Sequence, residues 1–170
     1  MVEDRPEDRP EDRAAARPGE RRDLVALNMR DAPPDDPGEV MSALPHAREI
    51  GMRLHRAVGG KALLSVPYDE RLVGDPDSGV LHGGVITALL DTACGSAVMS
   101  MPSRLSGTAT LDLRIDYMRP ASVGQTVRAA AECYRMTRSI GFARAVAYHD
   151  DPADPIASAA AAFMLERPKG

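Results

Sequence analysis

A chain of 170 residues is long enough for one domain, and its hydrophobic share of 44% is that of an ordinary soluble globular protein. The formal net charge of −4 is unevenly placed, because residues 1–38 hold eleven of the 25 acids but only seven of the 21 basic side chains, which leaves the rest neutral. A neutral body gives no electrostatic reason to expect nucleic acid, and the acidic first residues, with no apolar stretch among them, do not read as a secretory signal.

Residues 3–13 repeat Glu-Asp-Arg-Pro, and six of the fourteen prolines precede residue 39. Such a stretch buries no apolar area, so residues 1–38 are expected to be a disordered low-complexity tail before a domain over 39–168. Val40, Met41, Leu44, Ala47 and Ile50 fit a short amphipathic helix that Pro45 threatens to break. Residues 51–58 and 61–67 read as two strands turning at Gly59-Gly60. Residues 68–80 carry several turn formers and read as a loop, 84–99 as a helix, and 102–107 as a connection. Strands are expected at 108–118, 125–136, 141–149 and 156–165, with a turn at 150–155; the alanines of the last would also suit a helix. Within 108–118, Leu111, Leu113, Ile115 and Tyr117 should share one face, and Asp112, Arg114 and Asp116 the other. One long helix followed by a meander of strands is the pattern of an α+β fold.

The apolar run from Val85 to Met101 contains Asp91 and is shorter than a membrane span of ~20 residues, so a buried helix is the better reading. Cys94 and Cys133 lack metal-ligand spacing and read as reduced, buried thiols of a cytoplasmic protein, with no metal expected. The helix is apolar all round, apart from Thr87, Asp91, Thr92, Ser96 and Ser100. A sheet covers only part of such a helix, and a second copy of the chain is the simplest cover for the rest, with Ala93, Gly95 and Ala97 small enough to let another backbone approach.

The chemistry concentrates at His82-Gly83-Gly84 and Asp91. Amides at a helix start attract developing negative charge. Asp91 has Thr87 and Gly95 as its i−4 and i+4 neighbours and no base within a helical turn, so it is no ordinary surface ion pair. It is either a structural acid bonded by Thr87 or a nearby strand, or a general base. His82 is either a second base or a structural hydrogen-bonder. A dry carboxylate with donors for an oxyanion is the equipment of ester or thioester hydrolysis. Gly83 and Asp91 are eight residues apart, roughly 12 Å along one helix. One helix does not easily bring both to one carbonyl, whereas two antiparallel helices side by side in a dimer do, so two composite sites are expected.

Gly79-Val80-Leu81-His82-Gly83-Gly84, then Asp91, then Tyr117-Met118-Arg119-Pro120-Ala121 resemble the PaaI-type acyl-CoA thioesterases of the hotdog fold. The likeness runs from about residue 40 to 166. It implies a long helix wrapped by a curved antiparallel sheet, a homodimer often paired again into a dimer of dimers, and hydrolysis of acyl-CoA with neither metal nor cofactor. It places the base or nucleophile on Asp91, the oxyanion donor on Gly83 beside His82, and the hydroxyl that helps to place water on Thr110. Gly84 and Thr87 fall in the same substrate-contacting stretch. Many members carry an Asn before the Gly-x-x-His; here Asp75-Pro76-Asp77-Ser78 stands there, so either Asp75, Asp77 or Ser78 substitutes or the role is absent. Arg119, Arg138 and Ser139 are candidates for the CoA phosphates. Two rivals remain at this stage: a hotdog hydratase acting on enoyl or hydroxyacyl thioesters, and a non-catalytic acyl-CoA-binding module.

Overall fold

Pro45 opens a helix instead of breaking one. Helix α1 covers Pro45–Glu49 with the proline in its first turn, where the N–H it lacks would have had no partner. The computed structural model describes residues 44–168; the expected tail over 1–38, with Val40 and Met41, lies outside them. Strands β1 (Arg53–Val58) and β2 (Lys61–Val66) pair antiparallel around Gly59 and Gly60. Those two residues have φ of 58° and 82°, the left-handed backbone that a two-residue hairpin turn requires. The stretch 68–80, expected as an open loop, is partly regular. It holds a 3-10 turn (Glu70–Leu72) and a small hairpin of β3 (Val73–Asp75) with β4 (Val80–Leu81).

Helix α2 spans Gly83–Met99, and β5 (Gly107–Tyr117), β6 (Val127–Met136), β7 (Ile140–Tyr148) and β8 (Ala157–Glu166) follow it. The six long strands form one antiparallel sheet in the order β1-β2-β6-β7-β8-β5. Helix α2 touches all six, so the sheet wraps it and the α+β hotdog architecture holds. The layer beneath the helix is small: Ala129, Ala131, Ala143, Ala145, Ala147, Ala157, Ala159 and Ala161 are all buried. Short side chains let a helix of Val, Ile and Leu seat closely on the concave face. That explains the alanine-rich β8, whose burial alternates residue by residue as a strand's must. On the opposite face, Leu63, Ala130, Val146 and Tyr148 form a separate small apolar cluster.

The regular alternation expected over 108–118 breaks at Leu111. Thr110 pairs with Phe163 and Asp112 with Ala162, which leaves Leu111 as the extra residue of a β-bulge, 55% exposed. Leu113 and Ile115 pack on the core as expected, whereas Leu111 does not share their face. Across the bulge the inward positions switch from even to odd numbers, so Thr110 and Tyr117 both reach α2.

Helix α2 is less uniformly covered than its composition suggests. Val85, Ile86, Leu89, Leu90, Ala93, Cys94, Ala97 and Val98 are buried. Thr87, Ala88, Asp91, Thr92, Gly95 and Ser96 form a half-buried stripe at i, i+4 spacing. Ala93 and Ala97, expected to admit another copy, are fully buried within this chain, and only Gly95 of the three lies on the stripe. No helix among the described residues is long and apolar enough to cross a membrane.

Candidate active site

A Gly-Gly pair is a weak way to begin a helix, because each glycine costs about 1 kcal/mol relative to alanine there. The start of α2 is therefore held from outside. His82 is the N-cap: its Nδ1 accepts the Gly84 N–H at 2.9 Å. Its own N–H donates to the Leu72 carbonyl at 2.9 Å, and its carbonyl accepts the Val85 N–H at 2.9 Å. The β3–β4 hairpin lies so close that a Cβ on Gly74 would stand 2.7 Å from the His82 Cα. Of the first three amides of the helix, those of Gly84 and Val85 are thus engaged. The Gly83 N–H donates to no group among the described residues. Because Nδ1 accepts a hydrogen bond, neutral His82 carries its proton on Nε2 and has no basic nitrogen to spare.

Asp91 sits two turns further on, half-buried, and makes no ion pair among the described residues. Its Oδ1 accepts the Thr110 hydroxyl at 2.9 Å across the gap to β5, which leaves Oδ2 open. The structural bond from Thr87 to Asp91, one of the expectations from spacing, does not form. Thr87 Oγ1 instead lies 3.1 Å from the Gly83 carbonyl and 2.9 Å from the Tyr117 hydroxyl. Tyr117 in turn donates to the Gly83 carbonyl at 2.8 Å. Sequence reasoning placed Tyr117 on the inward face of β5 but not at the site; its place on the strand that carries Thr110 was the available signal.

The other candidates are dispersed. Asp77 and Ser78 lie in the β3–β4 turn, where the Ser78 hydroxyl and the Asp77 N–H both donate to Asp75. Those bonds, the Ser78 hydroxyl first, hold the Asp75 carboxyl below its usual range. Arg119 is near the α2 start but grips Asp154, through its carboxylate at 2.9 Å and its carbonyl at 2.8 Å. Arg138 and Ser139 are in the β6–β7 turn at the opposite end of α2, next to the strand start where Gly141 meets Val98. Within one chain they do not join Gly83. Cys94 and Cys133 are free and buried. No cluster of three His, Cys, Asp or Glu side chains suited to a metal occurs among the described residues.

Residues 78–156 match the family described as Thioesterase superfamily. The chain is 33% identical over 135 residues to the medium/long-chain acyl-CoA thioesterase YigI of Escherichia coli (strain K12), a match that covers 72% of this chain and 86% of that protein. The chain belongs to the thioesterase superfamily. Among solved structures, this superfamily member is 43% identical to a Pseudomonas aeruginosa protein, with a TM-score of 0.67 over 75% of this chain and 94% of that one. The Escherichia coli PaaI protein of the phenylacetic acid degradation operon shares the fold at 20% identity, with a TM-score of 0.65 over 78% of this chain and 91% of that one. The expected thioesterase membership therefore holds, and the expected hotdog fold is the one shared with PaaI.

Proposed function

We propose that this thioesterase hydrolyses acyl-CoA, with medium- or long-chain acyl groups as the first to test because that is what YigI is named for. Asp91 is the general base and the Gly83 N–H the oxyanion donor. The open Asp91 Oδ2 takes a proton from water as its oxygen attacks the thioester carbon. The carbonyl oxygen becomes an oxyanion against the Gly83 N–H. The C–S bond then breaks, and the CoA sulfur leaves with the proton that Asp91 held. Thr110 fixes the carboxylate through Oδ1, so the base waits in one orientation.

The observation that carries this reading is the half-buried carboxylate without a cationic partner, on the same helix as an undonated amide. The rival hydratase needs a histidine free to handle an α-proton, and the His82 ring is spent on the helix cap.

Two further parts of the reading concern assembly. Strand β5 is an edge of the sheet with eleven residues, and Leu111, Tyr117 and Met118 beside it are exposed. An edge of that length is normally paired or covered. A second copy that pairs there and lays its own α2 antiparallel against the open stripe covers both, and brings its Gly83 toward this chain's Asp91. The functional unit is then a homodimer, pairing again as a dimer of dimers, working in the cytoplasm on a soluble thioester.

The deciding experiment is thiol release across a panel of acyl-CoAs, wild type beside Asp91→Asn. Release that falls by about 10²-fold or more in the variant is the expected result. Water addition to an enoyl-CoA without thiol release, or binding without turnover, would replace the reading with one of its rivals.

A further inference from the structure

We propose that Tyr117 is a positioning residue for the oxyanion site, acting through the Gly83 carbonyl; the inference rests on the role just given to Gly83. A donor to an oxyanion works only if it is already aimed before the charge develops. Gly83 and Gly84 supply no side chain to pack, and glycine has the largest conformational freedom to lose on ordering. A bare Gly-Gly helix start would therefore fray, and its amide would point over a range of directions.

Three hydroxyl contacts oppose that. Tyr117 donates to the Gly83 carbonyl at 2.8 Å, Thr87 Oγ1 lies 3.1 Å from the same oxygen, and the two hydroxyls are 2.9 Å apart. They form a closed triangle on one carbonyl. The His82 cap holds the neighbouring amides, so Gly83 is clamped on both sides and only its N–H faces away. Within its own chain Tyr117 is 52% exposed, so intrachain packing does little to hold its ring there, and the hydroxyl bonds supply that hold. The ring also stands beside Gly83: a Cβ on that glycine would meet the Tyr117 Oη at 3.6 Å and Cζ at 3.8 Å. The bulge at Leu111 makes this reach possible while Thr110, on the same strand, holds Asp91. Strand β5 thus orients the base with one residue and the oxyanion donor with another.

The test is Tyr117→Phe, which keeps the ring and removes the hydroxyl, with Thr87→Val as a second variant and Asp91→Asn as the control for the underlying reading. The expected result for Tyr117→Phe is a fall in kcat of about ten-fold, smaller than the ~10²-fold typical of losing an oxyanion donor itself, with KM within two-fold of wild type. Amide hydrogen exchange at Gly84 and Val85 should quicken while the core strands keep their protection. Thr87→Val should follow in the same direction, and the double variant should be no slower than the worse single one, because both hydroxyls serve one carbonyl. If Asp91→Asn is inactive and Tyr117→Phe keeps kcat within two-fold of wild type, the inference is overturned while the mechanism stands. A loss of kcat with exchange unchanged at the helix start, or with a matching loss of protection throughout the sheet, overturns it equally. An active Asp91→Asn overturns the mechanism beneath it.

Discussion

Asp91 is a carboxylate on a helix whose neighbours are aliphatic or small, and among the described residues its hydrogen-bond partner is the Thr110 hydroxyl. One turn of sequence away, Cys94 shows how unwelcome charge is on the buried side of the same helix. Burial, with the Asp91 charge adding to it, pushes the Cys94 thiol up from 9.0 to about 12. Such a thiol is inert as a nucleophile at neutral pH. It also links stability to alkaline pH. The unfolded chain begins to lose the Cys94 proton near pH 9, whereas the folded chain keeps it up to about 12. Its contribution is therefore complete below pH 9 and shrinks as the pH climbs toward 12. Burial also raises Cys133 and Tyr148, which act in the same direction. Cys94 lowers stability by at most about 1.4 kcal/mol per pH unit in its window. Urea unfolding at pH 7, 9 and 10 should show a falling midpoint above pH 9, and Cys94→Ala should flatten the fall whatever it does to the pH 7 value. An equal slope in the variant would remove Cys94 from the account.

At the level of elements, the bulge in β5 matters more than any side chain on it. Leu111 is the unpaired residue, so a deletion there closes the bulge and forces an even alternation along the strand. Thr110 and Tyr117 then stand six positions apart instead of seven, so both still face α2. Inserting one alanine between Leu113 and Arg114, by contrast, puts the two on opposite faces and should reduce hydrolysis by at least about ten-fold, since either Asp91 or Gly83 loses its partner. Leu111→Ala, at a position 55% exposed, should be near wild type in both activity and melting. A fully active insertion variant would show that the shared face of Thr110 and Tyr117 is incidental. The bulge also marks where the sequence stops being readable. The helix, the Gly59-Gly60 hairpin and all four later strands follow from local periodicity and turn chemistry; His82, Gly83 and Asp91 stand out by residue type and spacing, and Thr110 only through the family resemblance. A bulge is set by which residue of β8 faces which of β5, a relation between distant segments that no local pattern carries. That is why Tyr117 read as one more apolar strand residue and Thr87 as a partner for Asp91. The tight loop ahead of α2 was hidden similarly, because its order comes from Gly74 lying against His82 and from the Tyr68 hydroxyl donating to the Gly79 carbonyl.

For the whole molecule, the decisive geometry is length. Eight residues separate Gly83 from Asp91, about 12 Å of helix, and a base and an oxyanion donor must each stand within ~3 Å of the atoms they serve. Under the proposed mechanism one subunit holds halves of two sites, and an antiparallel neighbour supplies the missing halves. Mixed assemblies test this directly. Asp91→Ala removes the base. Gly83→Pro removes the amide at little structural cost, because proline suits the first helical position and His82, with φ −60° and ψ 134°, already has the extended backbone that a following proline demands. Each variant alone should be inactive. Unfolded together, mixed in equal amounts and refolded, half of the dimers should be heterodimers, each with one intact site and one site lacking both groups. Thiol release should then recover to about a quarter of the wild-type rate. If both groups act within one chain, no mixture restores a site, and activity stays at the level of the parents even when native mass spectrometry shows that heterodimers have formed.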